Sequence, residues 1–578
     1  MSLLDDVSIV VTPNGYKAGE LYAVVPVPVE GAELVTDSDF LLTGTQAENT
    51  TGTYWTTRDS WSISGGNATL DGTQAGGSSL ISNLFTVEAG RMYKVTVNVS
   101  STSSGFRLYD TIGVVDYGLD VGENTFYRIP SSSTSSFNVT VLGLAGTTGE
   151  VSSVSVKEYT SADMDVTRAT AATRVDENGL VNYAEVLGDE ELTDGGFPTG
   201  TSAWYEGTGW SLGNGYAESD GTNAPLDQYN ALEIGKQYIV VITVTGMTAS
   251  PLSVRLGTSS SDQVLQITSD GTYTAYGTAG STTFRLRSQG FNGKVTNVSV
   301  KEVTRDNVPR IDYTGGGCPH ILAEPMRTNI VFPSDVAVTQ TRTVTAVEYA
   351  LSFYGTGSIV LSGTHSATLT GTGVNDRVDL IFTPTAGSLV LTVSGTVTNF
   401  QLEVGSYATS LIPTVSGIVT RNQDIFTRDG IGSLINSPEG VLFVEMAALS
   451  DDSTRRVISL SDGTNTNRVV LRYDNASNRV QGFIQVSGAT NGNINDNSYT
   501  ITNFLKIAYK WKAGDFALWI NGTEVATSTD ATSFGAGVLT EMQFNEGDGA
   551  GSEYFGKVKQ LQVYDTALTD TQLAALTS

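Results

Sequence analysis

The chain has 578 residues and a net charge of −28, from 32 Lys and Arg against 60 Asp and Glu. Only 16% of residues are charged, while 24 Tyr, 20 Phe and 6 Trp are present, which excludes global disorder; no apolar run nears the ~18 residues of a membrane helix, and sustained heptads are missing. So acidic a body repels phosphate backbones, against nucleic-acid binding, and the single cysteine, Cys318, excludes an intrachain disulfide.

Residues 1–6 carry neither a basic nor an apolar stretch, so no Sec signal is read there. Residues 1–31 form an N-terminal segment. A repeat then dominates the chain. Glu33-Leu34-Val35-Thr36-Asp37 with Phe40 recurs as Glu191-Leu192-Thr193-Asp194 with Phe197. Trp55 and Trp61-Ser62 recur as Trp204 and Trp210-Ser211. Gly90 with Tyr93, Val95, Val97 and Val99 recurs as Gly235 with Tyr238, Val240, Ile242 and Val244. Val154-Ser155-Val156-Lys157-Glu158 recurs as Val298-Ser299-Val300-Lys301-Glu302. Two copies of one domain therefore occupy 32–160 and 188–304, joined by a connector at 161–187.

Within each copy, apolar and polar residues alternate from Tyr93 to Val99 and from Tyr238 to Val244, the pattern of a strand with one buried face. Short strands between Gly, Ser and Asn clusters predict antiparallel jelly-roll sandwiches. A connector follows at 305–329. A degenerate third sandwich, 330–413, ends on Val397-Thr398-Asn399-Phe400-Gln401-Leu402-Glu403, and a last connector spans 414–439. Residues 440–578 read as a different sandwich, with an Asn521-Gly522 hairpin turn and one helix start, Thr569-Asp570-Thr571-Gln572, with the spacing of a capping box. The predicted fold class is all-β: tandem jelly rolls plus a distinct C-terminal sandwich.

Little in the sequence points to catalysis, and no catalytic residue is assigned. His320 and His365 are the only histidines; Cys318 near His320 lacks an orienting partner and reads as a buried structural thiol. Acidic clusters at Asp5-Asp6, Asp189-Glu190-Glu191 and Asp451-Asp452 fall in predicted loops and read as solvated charge rather than glycosidase acids. No metal or cofactor is assigned either; the oxygen-rich stretch Asn491-Gly492-Asn493-Ile494-Asn495-Asp496-Asn497 leaves a structural calcium open. Trp61 and Trp210 read as core, while Trp55 and Trp204 sit in Gly- and Thr-rich loops, where core packing and exposure are equal readings. The connectors hold Arg168, Arg174, Arg305, Arg310, Arg327, Arg421 and Arg428. Arg bonds carboxylates and carbonyls bidentately, so these residues either tie neighbouring domains or subunits together or cap local turns.

Three resemblances add expectations. Lys506-Ile507-Ala508-Tyr509-Lys510-Trp511, Leu518-Trp519-Ile520-Asn521-Gly522 and Tyr564-Asp565-Thr566-Ala567-Leu568-Thr569 make 440–578 resemble the concanavalin A-like (laminin G-like) lectin/glucanase sandwich, without the Glu-x-Asp-x-x-Glu strand of its glucanases. The repeats resemble carbohydrate-binding-module jelly rolls in pattern and size. The segments around Pro13-Asn14-Gly15-Tyr16, Thr167-Arg168-Ala169-Thr170, Pro309-Arg310-Ile311-Asp312 and Gln401-Leu402-Glu403 resemble connectors of tailed-bacteriophage fibre and appendage proteins; the jelly roll at 32–160 departs from that pattern. Together these imply a non-enzymatic virion protein, assembled in the host cytoplasm. It would attach to other virion proteins through residues 1–31, self-associate as a homotrimer or other homo-oligomer, and bind cell-surface glycans without membrane insertion. Candidate glycan contacts are Trp55, Trp204, Trp519 and Tyr473. The rival expectations are a purely structural head or tail component, a bacterial surface adhesin, and a polysaccharide depolymerase.

Overall fold

The computed structural model describes residues 7–110, 117–130, 132–199, 203–549 and 551–578. The Asp5-Asp6 cluster lies outside the described residues. Strands make up almost all the regular structure. The one α-helix, Asp570–Thr577, is closed by the expected box: Gln572 N donates to Thr569 Oγ1 while Thr569 N donates to Gln572 Oε1. The chain forms two compact units, the second comprising residues 169–172 and 183–308 and the first the remainder.

The two copies fold into sandwiches of matching strand order. In the first, one sheet runs Trp55–Thr57, Ser78–Ser82, Val139–Gly143, Phe106–Asp110, Tyr117–Leu119. Its second sheet runs Trp61–Ser64, Asn67–Asp71, Thr148–Thr160, Tyr93–Thr102, Gly122–Arg128, with Val29–Glu33 also paired to Thr148–Thr160. The second unit repeats the first sheet as Tyr205–Glu206, Pro225–Gln228, Phe284–Ser288, Leu252–Arg255, Gln263–Ile267. It repeats the other as Trp210–Gly213, Tyr216–Asp220, Asn292–Thr304, Gln237–Ala249, Gly271–Thr278, with Val186–Glu190 paired to Asn292–Thr304. Alternation explains the burial: Tyr93, Val95, Val97 and Val99 point into the core, and Lys94, Thr96 and Asn98 do not.

One detail shifts the sequence alignment of the copies. Glu33 accepts from Val35 N, Val156 N and Ser155 Oγ, and its counterpart is Glu190, which accepts from Leu192 N, Val300 N and Ser299 Oγ. The acidic run 189–191 thus supplies a strand-pairing carboxylate, and Val186–Glu190 is a strand rather than a loop.

In the first unit, a third sandwich packs a four-stranded sheet (Gln340–Val344, Gly387–Ser394, Ser358–Gly363, Ala367–Thr370) on a three-stranded one (Gly373–Phe382, Tyr349–Gly355, Val397–Val404). The C-terminal sandwich is larger than its own sequence. Its strands Val480–Val486, Arg468–Tyr473, Arg456–Ser461 and Glu541–Gln543 continue into Ile425–Arg428, Met164–Thr167, Glu20–Val25 and Val7–Lys17. The sheet then returns through Gly556–Tyr564, Glu439–Ala448, Leu505–Lys512 and Phe516–Ile520, making one 16-stranded sheet. The N-terminal segment and the connectors are therefore structural strands. Within residues 1–31, expected to be a virion-attachment segment, Ile9, Val10 and Val11 pair with Val563, Gln562 and Leu561, and Ile9, Val11 and Leu21 are buried in the C-terminal core.

Three connectors meet in a buried ionic cluster. Asp424 Oδ1 accepts from Arg168 Nη1 at 2.7 Å, and its Oδ2 from Arg310 and from Glu324 N. Glu324 Oε2 accepts from Arg310 and pairs with Arg421 at 2.8 Å. Ser410 donates to both Glu324 oxygens, through its amide and its hydroxyl. Burial pushes the Glu324 carboxyl up, but Arg310 and Arg421 outweigh it and hold the group below the ordinary 4.5. Asp424 is also held down, by Arg310, Arg168 and Arg421 against burial. Arg428 donates to Ser161 O and Arg174 to Ile311 O. In the second unit Arg305 pairs with Glu185 at 2.9 Å. Arg327 donates to the neighbouring Met326 O, so the arginines perform both expected roles, tying segments and closing turns.

Deleting residues 1–25 is expected to cost roughly 5 kcal/mol or more, at ~1.5–3 kcal/mol for each of the buried side chains Ile9, Val11 and Leu21. It also bares the Gly556–Tyr564 edge, so denaturant unfolding should shift and size-exclusion chromatography should show soluble aggregate. Because the folded carboxylate of Glu324 is held below 4.5, its contribution is full above about pH 4.5 and fades as pH falls towards the folded value. Glu324→Gln should cost about 3–5 kcal/mol at neutral pH and flatten the acid limb of stability against pH, read by urea unfolding between pH 3 and 7.

Candidate functional site

The four sequence-predicted glycan contacts are all inside cores: Trp55 is 1% exposed, Trp204 6%, Trp519 7% and Tyr473 0%. None presents a ring face to solvent. Trp55 Nε1 donates to Asp37 O at 2.9 Å and Trp204 Nε1 to Asp194 O at 3.2 Å. Each indole also leans on an aromatic of its own copy, Phe40 or Phe197. The repeat-specific tryptophans thus pin a loop to a strand. Trp61 and Trp210 do the same through Ser78 O and Ala224 O. Tyr473 donates to Met446 O, and Trp519 packs with Val441, Phe443, Leu568 and Leu573. Burial therefore replaces stacking at all four positions.

The aromatic surface lies one residue further on. Tyr205 and Tyr229 of the second unit are 58% and 53% exposed, with ring centroids 5.8 Å apart at 55°. The strand Tyr205–Glu206 sits at the sheet edge, and Tyr205 is opposite Asp227. Asp227 is buried and accepts a two-pronged bond from Arg285, Nε to Oδ1 and Nη2 to Oδ2, both at 2.8 Å. Desolvation first, then the Asp227 charge, raises the Tyr229 hydroxyl above its ordinary value. Two exposed ring faces suit the apolar C–H face of a hydroxylated ring, and the buried Asp227–Arg285 fork fixes the strands beside them.

The first copy lacks this surface. Its Thr56, after Trp55, is opposite Ile81, so Thr56 and Asn83 stand where the second has Tyr205 and Tyr229. Sequence reasoning fixed on the tryptophans because they repeat; the residue type that differs between copies was the available signal.

The C-terminal sandwich holds a buried polar face, in which Arg468, Arg472 and Gln481 are covered from solvent. Register pairs Arg468 with Gln485, Val470 with Phe483 and Arg472 with Gln481 on one face. Arg468 Nε donates to Gln485, Arg472 Nε to Gln481, and Gln481 Nε2 to Asn493 Oδ1. The Asn545–Gly547 segment roofs this face, accepting from Ser459 and Ser461 hydroxyls, while Glu546 pairs with Arg468. The alternating Arg-x-Val-x-Arg and Gln-x-Phe-x-Gln runs were legible signals.

Other expected groups are scattered. Cys318, expected to be buried, is exposed, whereas His320 is buried against Asp312 at 3.3 Å and lowered to about 4, chiefly by desolvation; they form no nucleophile pair. His365 stacks on Phe382 at 4.6 Å. The stretch considered for calcium is largely the strand Ala489–Asp496, and among the described residues no group of three or more His, Cys, Asp or Glu is placed to hold a metal. Asp451 accepts from Ser477 and Asn478, and Asp452 from Arg456 and Ser406. No helix among the described residues is long and apolar enough to cross a membrane.

Residues 442–574 match the family model described as the concanavalin A-like lectin/glucanases superfamily. Among solved structures, the chain is similar to the CBM40 of the Ruminococcus gnavus IT-sialidase bound to α2,3-sialyllactose, at 17% identity and TM-score 0.23, over 26% of this chain and 88% of that one. It is similar to a mutant NanB sialidase of Streptococcus pneumoniae at 14% identity and TM-score 0.22, over 26% of each chain. A SAP-like pentraxin of Limulus polyphemus matches at 12% identity and TM-score 0.21, over 44% of this chain and 82% of that one. No curated protein sequence matches the chain. The family match shows an all-β chain carrying a concanavalin A-like domain.

The structural and surface roles separate by mutation. Trp204→Phe removes the bond to Asp194 O and is expected to cost about 1 kcal/mol. Tyr205→Ala, at an exposed edge position, should stay within about 0.5 kcal/mol of the parent; chemical denaturation reads both.

Proposed function

We propose that this protein is a non-enzymatic glycan-binding protein, displayed on the particle of a tailed bacteriophage and using its sandwich domains to engage surface polysaccharide. The observation that carries the binding part is the exposed Tyr205–Tyr229 pair beside the Asp227–Arg285 fork. The lectin-superfamily match of the C-terminal domain supports the same chemistry. Each such contact is weak, and several copies on one particle raise avidity without a new contact. The resemblance of the connectors to phage appendage proteins supports the display part. Since residues 7–25 are strands of the C-terminal sheet, the proposal places attachment to the particle on a folded surface rather than on a free tail.

A glycan array probed with the full chain at high density tests the binding reading. Tyr205→Ala and Tyr229→Ala should each weaken the recognised glycan about tenfold, ~1.4 kcal/mol, with unfolding midpoints unchanged. Silence across the array defeats it in favour of a purely structural component. Gold-labelled antibody on intact particles tests display; label on bacterial cell surfaces instead would make the protein an adhesin.

A further inference from the structure

A cavity of about 290 Å³ opens in the first unit where connector, third sandwich and C-terminal sandwich meet. Its hydrogen-bond inventory is one-sided. Arg174 and Arg377 line it with buried Nε–H groups that have no partner. Arg377 uses only Nη2, on Ser352 Oγ and Thr409 O, and Arg174 only Nη1, on Ile311 O. Lys557 lines the same space, and its ammonium makes no ion pair or hydrogen bond among the described residues. Nor do the Tyr354 and Tyr407 hydroxyls, whose rings form walls.

The acceptors, by contrast, are spent. Asp312 Oδ2 accepts from Val175 N and Oδ1 from Thr314 N, with His320 at 3.3 Å behind it. Glu324 is saturated by Arg310, Arg421 and Ser410. The lining thus offers charged and neutral donors without partners beside two carboxylates that other groups already engage. In a chain of net charge −28, three cations line one cavity without an ion-pair partner among the described residues. Unanswered buried donors are costly, and the group that answers them is an acceptor-rich anion.

We propose that this cavity binds the carboxylate of an acidic sugar, with Arg174, Arg377 and Lys557 on the carboxylate and Tyr354 and Tyr407 against the ring. Arg174, which spends only Nη1, keeps the Nε–H and Nη2 edge that grips a planar carboxylate, and Arg377 keeps Nη1. The volume lies at the lower end of the ~300–1,000 Å³ of ligand pockets, which fits one sugar residue rather than a chain. The site stands apart from the tyrosine platform of the second unit and does not depend on it.

Calorimetric titration of the full chain with glucuronate, glucose, inorganic phosphate and sulfate at low salt tests the assignment. Glucuronate should bind and glucose should not. Lys557→Gln breaks no bond of the fold and should weaken glucuronate at least tenfold with an unchanged melting midpoint. Arg377→Gln should weaken it further, and Tyr205→Ala should leave it unaltered, which separates this site from the platform. No glucuronate binding, binding of phosphate or sulfate alone, or equal glucuronate affinity in Lys557→Gln and the parent would each overturn the proposal.

Discussion

Two carboxylates shared among three arginines hold the first unit together. Arg168 comes from one connector, Arg310 and Glu324 from the next, Arg421 and Asp424 from the last. All five side chains are buried. In a low-dielectric interior such charges are tolerable only when each oxygen and each guanidinium finds a partner. That requirement fixes where the connectors cross. With the crossing fixed, Met164–Thr167 and Ile425–Arg428 lie beside each other and the C-terminal sandwich gains the strands that join its two halves. A lectin-like domain that would otherwise end in open sheet edges is closed by the chain's own beginning and middle.

The duplicated sandwiches show what a repeat preserves and what it releases. Both copies keep the indole bonds to Asp37 O and Asp194 O, the indole bonds to Ser78 O and Ala224 O, and the glutamate that clamps the final strand. Those are interior constraints, and substitution there costs stability. The edge position after the first tryptophan carries no such constraint, and there the copies diverge from Thr56 to Tyr205. A surface gained on an unchanged frame is how a binding role arises without a new fold.

Charge distribution gives the same separation of interior from surface. The chain is acidic overall, which favours solubility and disfavours polyanion binding across the open surface. Arg168, Arg310 and Arg421 are nonetheless buried at the connector crossing, and Arg174 and Arg377 line the adjoining cavity. The proposed acidic-sugar site would thus take a small anionic group by contact chemistry in a body whose exterior repels extended polyanions.

The all-β class, the two copies, the Asn521-Gly522 turn and the capped helix were legible in the amino-acid order because each follows from local rules. Period-two alternation makes a strand, positive φ at Asn521 and Gly522 makes the tight turn, and Thr569 with Gln572 caps whichever segment follows. What a buried residue touches across hundreds of positions is not local. Trp55 and Trp204 in Gly- and Thr-rich stretches left core packing and exposure equally open because nothing nearby in sequence shows the sheet that covers them. The place of Val7–Lys17 in the C-terminal sheet was not legible because its partner strand, Gly556–Tyr564, lies more than 500 residues away. Composition and periodicity determined which segments form strands; only tertiary packing decided which faces were left to solvent, because burial depends on neighbours brought together by folding.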